Sequence, residues 1–195
     1  MTTTVLFDLF GVLARLQSEQ GKDRLVRAAD MPAPEFWDAY WEYRPRYDSG
    51  KLTGQAYWQH VIGSRLDQSR TAALVQADIA SWSAVDDSMV ALVAELADAG
   101  RRIALLSNVP EELAAHYEAH HSWLGYFEVR AFSCRIGHIK PDPDAFLWCR
   151  DALGQDAGSI LFVDDRRDNV QAAETIGMHG HLFTTPAGLR SRLAR

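Results

Sequence analysis

The stretch Val5-Leu6-Phe7-Asp8-Leu9-Phe10-Gly11-Val12-Leu13 is an apolar run broken by one carboxylate and then by one glycine. Its apolar start predicts a strand covered on both faces, with Asp8 delivered at the carboxyl end. Gly11 lets the chain turn tightly enough to bring backbone groups close to a small ligand. In open α/β sheets, ligands sit in the crevice at the carboxyl ends of strands, so a lone charge there is a candidate site group. Taken alone, Asp8 would serve equally well as the N-cap of a following helix.

Three later stretches bear on that choice. Ile103-Ala104-Leu105-Leu106-Ser107-Asn108 is a second apolar run, ending in a hydroxyl and an amide; Lys140-Pro141-Asp142-Pro143 follows a third candidate strand; Ile160-Leu161-Phe162-Val163-Asp164-Asp165 is a fourth, ending in two carboxylates. Strands alternating with helices at this spacing predict an α/β fold with a doubly wound parallel sheet. Carboxylates at 8, 164 and 165 would then converge on one crevice, where they cannot all stay ionised unless a cation compensates. A hard divalent ion with oxygen ligands, most simply Mg²⁺, suits such a set. The competing reading makes Asp164 or Asp165 a helix cap.

These four signals, in this order, resemble the haloacid dehalogenase-like (HAD) hydrolase superfamily over essentially the whole chain. The branch that looks most similar holds the amino-terminal phosphatase domain of soluble epoxide hydrolase and small sugar-phosphate phosphatases, because Asp164-Asp165 is followed by Asn169, Ala172-Ala173 and Ile176-Gly177-Met178. The resemblance implies a Rossmann-like core over residues 1–14 and 83–195, with a small helical cap over 15–82. It also implies Asp8 as nucleophile and Ser107, Asn108 and Lys140 around a substrate phosphoryl group. Mg²⁺ would be held by Asp8, the Phe10 carbonyl and Asp165, with Asp164 acting directly or through water. Gly11 and Asn169 are supporting candidates. The expected reaction is hydrolysis of a small-molecule phosphate through an aspartyl-phosphate, a recognised use of a carboxylate nucleophile.

One departure matters most. HAD phosphatases carry a second Asp two residues after the nucleophile as general acid/base, and that position here is Phe10. A phenyl ring neither gives nor takes a proton, so a slow or selective phosphatase is expected. Hydrolytic 2-haloacid dehalogenases in the same superfamily also place an aromatic residue there and work without metal, with Arg15 as a candidate halide partner in this chain. Asp164-Asp165 points away from them, since their pattern has Ser or Asn. A third reading is a binding or regulatory module that kept the pocket and lost turnover.

The segment between the first two motifs is helical and rich in aromatics. Glu35 to Tyr47 predicts one helix, Thr53 caps a second running to Leu66, and Thr71 to Ser81 forms a third. Aromatic stripes at this spacing are ordinarily packing. The sharper expectation is that one or two of Trp37, Trp41, Tyr47 or Trp58 face the cleft and shape substrate choice. Downstream, Asp86 or Asp87 starts a helix closed by Gly100, and Asn108 with Pro110 starts one running to about His121, its free N–H groups beside Ser107. His116 and His120 have zinc-compatible spacing but no evident third ligand. Arg130 to Cys134 predicts a strand, Asp142 or Asp144 a helix start, and His181 to Phe183 a last strand.

The 195 residues, 47% hydrophobic and 24% charged, suffice for one good core and a small inserted subdomain. A net charge of -6 argues against a nucleic-acid surface, which needs clustered Lys and Arg. The Arg-dense run from Arg190 to Arg195 reads as the solvated end of a final helix. Cys134 and Cys149 lack metal or redox spacing and suit a reducing compartment. The first apolar run is too short to span a membrane and lacks a signal-peptide pattern. The expectation is a cytoplasmic protein, monomer or homodimer, with no nucleic-acid or membrane partner.

Overall fold

A computed structural model describes residues 4–194. Five parallel strands form one sheet in the order β3-β2-β1-β4-β5: β1 (Thr4–Phe7), β2 (Ile103–Ser107), β3 (Val129–Phe132), β4 (Ile160–Asp164) and β5 (His179–Leu182). β1 lies at the centre because all four of its side chains are buried, which only a strand covered on both faces achieves. Alternation sends Val5 and Phe7 into the core on one face, with Leu105, Val93 and Val163. Leu6 goes into the other, with Leu106, Phe146 and Phe162. The chain builds β2 and β3 on one side of β1 and then crosses to build β4 and β5 on the other. The resulting switch point opens a crevice at the carboxyl ends of β1 and β4.

Four helices intervene between β1 and the core helix α5 (Asp87–Asp98): α1 (Glu19–Ala29), α2 (Ala33–Asp48), α3 (Gly54–Ile62) and α4 (Gln68–Trp82). They share an apolar cluster of their own, in which Phe36, Tyr40, Tyr57 and Trp58 are fully buried. The chain enters and leaves this insert through adjacent backbone: Arg15 N–H donates to Ala84 O at 2.7 Å and Asp86 N–H to Leu13 O at 3.0 Å. Asp86, not Asp87, caps α5. The remaining helices are α6 (Glu111–His120), α7 (Ser133–Ile136), α8 (Pro143–Leu153), α9 (Arg167–Thr175) and α10 (Pro186–Leu193). Arg190 and Arg192 end α10 as expected, and Arg195 lies outside the described residues.

Several expectations need correction. The insert has a fourth helix, α1, capped by Ser18, which accepts from Gly21 N–H. The helix after Thr53 stops at Ile62 because Gly63 turns left-handed. The third strand ends at Phe132 and rolls straight into α7. The last strand starts two residues earlier than expected, at His179. α6 begins after Pro110, so Asn108 is not its cap.

One buried polar network ties the insert together and reaches its edge. Arg44 lies in α2 with only 4% of its surface exposed, its Nε 2.7 Å from Asp48 Oδ1 and its Nη1 3.1 Å from Asp78 Oδ2. Tyr40 Oη accepts from Arg44 and from Trp82 Nε1 (3.0 Å) and donates to Asp78 Oδ1 (2.7 Å). Replacing Tyr40 by Phe removes one oxygen but leaves three buried polar groups short of a partner. We expect a loss of about 1–3 kcal/mol of unfolding free energy by chemical denaturation. A loss below about 0.5 kcal/mol would show that these groups find other partners.

Candidate active site

The site assembles where β1, β2 and β4 end. Asp8 follows β1 directly, its N–H still paired in the sheet with Val163 O at 2.9 Å, so the side chain leaves the last rung of the ladder in a fixed direction. Its Oδ1 accepts from Leu9 N–H (2.6 Å) and from Lys140 Nζ (2.6 Å). Oδ2 accepts no hydrogen bond among the described residues, and Asp8 lines a cavity of about 420 Å³. Burial pushes the Asp8 carboxyl up to about 8, with Lys140 opposing and Asp164 adding to the rise.

Lys140 is the counter-charge. Its Nζ lies 2.6 Å from Asp8 and 2.7 Å from Asp164 Oδ2, with the side chain almost fully buried. Burial alone would lower the ammonium pKa, but the two carboxylates outweigh that and hold it above the usual lysine range. Asn108 fixes the lysine's backbone: its Oδ1 accepts Lys140 N–H and its Nδ2 donates to Lys140 O, both at 2.8 Å. The Asn108 side chain, expected as a phosphoryl donor, lines the cavity and also positions Lys140 through this reciprocal clamp, which uses one of its two amide N–H bonds.

Asp164 is fully buried and heavily bonded. Besides Lys140 it accepts from Asn169 Nδ2 at both oxygens (3.1 and 3.0 Å) and from Arg166 N–H at 2.8 Å. Asp165 differs: half-buried, it makes no ion pair among the described residues. Burial and the neighbouring Asp164 raise its carboxyl above the usual range. Its carboxylate fills the space beside Gly11, where a Cβ would stand 2.2 Å from Oδ2. Gly11 also has a φ of +86°, so both the turn and the close approach require glycine there. Carboxylate oxygens of Asp8, Asp164 and Asp165 all lie within 4.8 Å of one another. Three carboxylates against one ammonium, with Asp8 Oδ2 and Asp165 open, form a donor set that fits a hard divalent cation.

Other expected residues separate. Ser107 ends β2 fully buried, its Oγ without a hydrogen-bond partner among the described residues, and does not line the cavity. Phe10 does line it, its ring 5.0 Å from that of Trp82 and 5.8 Å from that of Tyr117. Of the four aromatic candidates only Trp41 faces the cavity. Trp58 sits wholly inside the insert's core, Tyr47 stacks on Tyr57 and donates to Glu112, and Trp37 packs on Phe36 and Tyr40. Arg15 is exposed and does not line the cavity. His116 and His120 stack at 4.2 Å on α6, His116 Nε2 lying 3.3 Å from Ser83 Oγ. The sequence reading did not single out Leu16, Gln17, Lys22, Arg44, Asp48, Trp82 or Arg166, all of which line the cavity. Arg44 and Asp48 did carry a signal, a charged i,i+4 pair inside an aromatic helix.

Residues 2–177 match the family described as haloacid dehalogenase-like hydrolase. A sesquiterpene phosphatase, astK, of Aspergillus oryzae is 30% identical over 143 residues, covering 72% of this chain and 70% of its own length. Among solved structures, the HAD family enzyme bt-2542 of Bacteroides thetaiotaomicron superposes with a TM-score of 0.83 at 19% identity, over 99% of this chain and 98% of that one. The same enzyme in complex with magnesium and inorganic phosphate gives a TM-score of 0.79 at 18% identity, over 95% and 96%. The L-2-haloacid dehalogenase of Xanthobacter autotrophicus, with chloropropionic acid covalently bound, gives 0.70 at 21% identity, over 100% and 83%. At these identities the structures share the fold.

Lys140→Met leaves Asp8 and Asp164 buried without their counter-charge. We expect a loss of about 3–5 kcal/mol of stability in denaturant titrations of the metal-free protein at about pH 9, above the Asp8 value of about 8. An unchanged midpoint would mean that the two carboxyls are already protonated.

Proposed function

The chain belongs to the haloacid dehalogenase-like hydrolases, and within that family we propose that it is a Mg²⁺-dependent phosphatase of a small organic phosphate. The observation that carries this reading is the charge imbalance at the strand ends: three converging carboxylates, one buried ammonium, and two carboxylates open to the cleft. We assign the cation to Asp8, Asp165 and the Phe10 carbonyl. Asp164, its oxygens already engaged, contributes mainly charge. Bound there, Mg²⁺ would offset the negative charge shared by the phosphoryl oxygens and the carboxylates. We take residues 15–82 as the cap over this cleft and residues 1–14 with 83–195 as the core.

The chain's own residues account for the remaining steps. Leu9 N–H and Lys140 hold Asp8 Oδ1, which leaves Oδ2 to attack phosphorus and form the aspartyl-phosphate. Catalysis of phosphoryl transfer is largely positioning and charge neutralisation, and both are served by groups fixed before substrate arrives. Phe10 supplies no proton to the leaving group. Such help is typically worth 10²–10⁴-fold, or about 3–5 kcal/mol. Substrates that expel a weakly basic group, such as acyl, aryl or anomeric phosphates, lose least by its absence. Return of the aspartyl-phosphate to free Asp8 becomes the slow step.

The haloacid dehalogenase reading draws on the aromatic residue at position 10. It has no use for the open, half-buried Asp165, which in a metal-free site would have no cation to answer it among the described residues. Release of chloride from 2-chloropropionate without Mg²⁺ would reverse our order.

Acetyl phosphate with Mg²⁺ should yield inorganic phosphate and, on rapid quenching, one phosphoryl group on the peptide carrying Asp8, both absent in Asp8→Asn. Phe10→Asp should raise turnover of a simple alkyl phosphate at least tenfold relative to acetyl phosphate. No phosphate and no phosphorylated peptide would dismiss the phosphatase reading.

A further inference from the structure

The walls of the cleft divide by chemistry. Beside Asp8 the surface is apolar: Phe10 meets Trp82 at 5.0 Å, and Trp82 meets Trp41 at 6.4 Å with their planes at 88°. The wall therefore runs from the nucleophile outward. Its outer members are Trp41, 50% exposed, and Leu16, 57% exposed. Two of the four large hydrophobic side chains that the described residues leave exposed thus line one cavity, which is where isolated exposure becomes informative.

The charged lining adds a second, independent restriction. Besides Lys140, the cations on this cavity are Lys22, Arg44 and Arg166, and each is matched by a carboxylate. Lys22 pairs with Glu19 at 2.8 Å, Arg44 with Asp48 and Asp78, and Arg166 with Asp168 at 2.6 Å. Among the described residues, no cation lining the insert side of the cavity stands without a carboxylate partner to await a second anionic group. A leaving group bearing a carboxylate or another phosphate would instead meet Asp48, which lines the cavity beside its partner Arg44.

From these two observations we propose that the physiological substrate class is the aryl phosphate monoester with an uncharged ring, the ring lying against Trp41 and Trp82. The proposal rests on the phosphatase reading and narrows it. Aromatic rings favour edge-to-face and offset contacts at 4.5–7 Å, and the perpendicular Trp41 and Trp82 offer one face and one edge. A phenol is also acidic enough to depart as phenolate, so a phenyl ring at position 10 costs it little. Asp8 Oδ2 forms a bond to phosphorus as the phosphorus–oxygen bond to the ring breaks, the electron pair leaving with the phenolate oxygen. One water then attacks phosphorus and frees Asp8. Its oxygen stays on the phosphate, one proton remains on that product and the other neutralises the phenolate. The cavity, at about 420 Å³, has the size of an ordinary small-molecule site.

The test compares phenyl phosphate, 4-carboxyphenyl phosphate and acetyl phosphate with Mg²⁺, in the wild type and in Trp41→Ala, alongside calorimetric binding of phenylphosphonate and methylphosphonate. We expect kcat/KM for phenyl phosphate to exceed that for the carboxylated ring by about tenfold or more. In Trp41→Ala the ratio of phenyl to acetyl phosphate should fall about tenfold, through KM, the size expected for losing one indole contact. Phenylphosphonate should bind the wild type more tightly than methylphosphonate. Acetyl phosphate turnover with an unchanged ratio in Trp41→Ala, or equal use of both rings, would overturn this proposal while leaving the phosphatase reading standing. Silence with all three esters would remove the phosphatase reading, and equal binding of the two phosphonates would then also remove the aromatic site.

Discussion

A buried lysine held between two buried carboxylates is the constraint on which this molecule turns. Bringing Asp8 to the end of β1 and Asp164 to the end of β4 places like charges on adjacent central strands, where water cannot separate them. Removing such groups from water costs several kcal/mol each unless they are paired and hydrogen-bonded. Lys140 supplies the pairing, Asn169 and the Arg166 N–H complete the bonding of Asp164, and Asn108 fixes the backbone from which the lysine reaches in. Three loops from different parts of the chain are thereby tied to one ammonium group. Their relative positions follow from charge balance as much as from packing.

The same logic separates the roles of the adjacent acids. Asp164 and Asp165 are neighbours in sequence, yet strand alternation sends the first inward to the lysine and asparagine and the second toward Gly11 and the cleft. The inner acid has become part of the scaffold, and the outer one is left with its charge uncompensated. Two consecutive acids at one strand end thus occupy opposite environments, one closed off by its partners and one open to the cleft. A second buried charge cluster, Arg44 with Asp48 and Asp78, plays the scaffold role alone. Its ion pairs are internally closed; Arg44 and Asp48 themselves line the cleft, and the Tyr40 hydroxyl holds the indole of Trp82 beside them.

How much of this was legible in the sequence depended on what fixed each residue. The strands were readable because β1, β2 and β4 are continuous apolar runs punctuated by Asp8, Ser107 and Asp164-Asp165, a pattern that only a sheet covered on both faces produces. α1 was not, because only Gly21, Leu25 and Ala29 of its eleven residues are buried, too few to show a helical stripe. Tyr40 is fully buried while Trp41, next to it, is half exposed, and an aromatic-rich helix gives no periodic cue for which face meets the cleft. Arg44 escaped because a charged residue is ordinarily solvated, and its burial depends on Asp78, 34 residues away on another helix. Asn108 misled for the opposite reason: local chemistry allowed a helix cap, and a tertiary contact with Lys140 took the side chain instead. Local pattern was sufficient wherever burial was continuous, and insufficient wherever a polar group answered to a distant partner.

Phe10 is best understood through its neighbours rather than through the residue it replaces. Its ring packs edge-on against Trp82 and Tyr117, and Tyr117 in turn donates from its hydroxyl to Trp82 O at 2.7 Å. Tyr117 itself is fully buried, while Phe10 lies half-buried at the cleft's edge. An Asp at position 10 would insert a fourth carboxylate into a site already short of positive charge, against two aromatic residues whose donors are both engaged, the Trp82 N–H by Tyr40 and the Tyr117 hydroxyl by Trp82 O. Restoring the missing acid in isolation would therefore raise its own pKa and weaken the wall that holds Trp82. A full return to acid/base catalysis at this position requires a polar partner on the cap as well. The aromatic residue and its aromatic surroundings form a single arrangement, in which a wall that excludes water stands where proton transfer would otherwise occur.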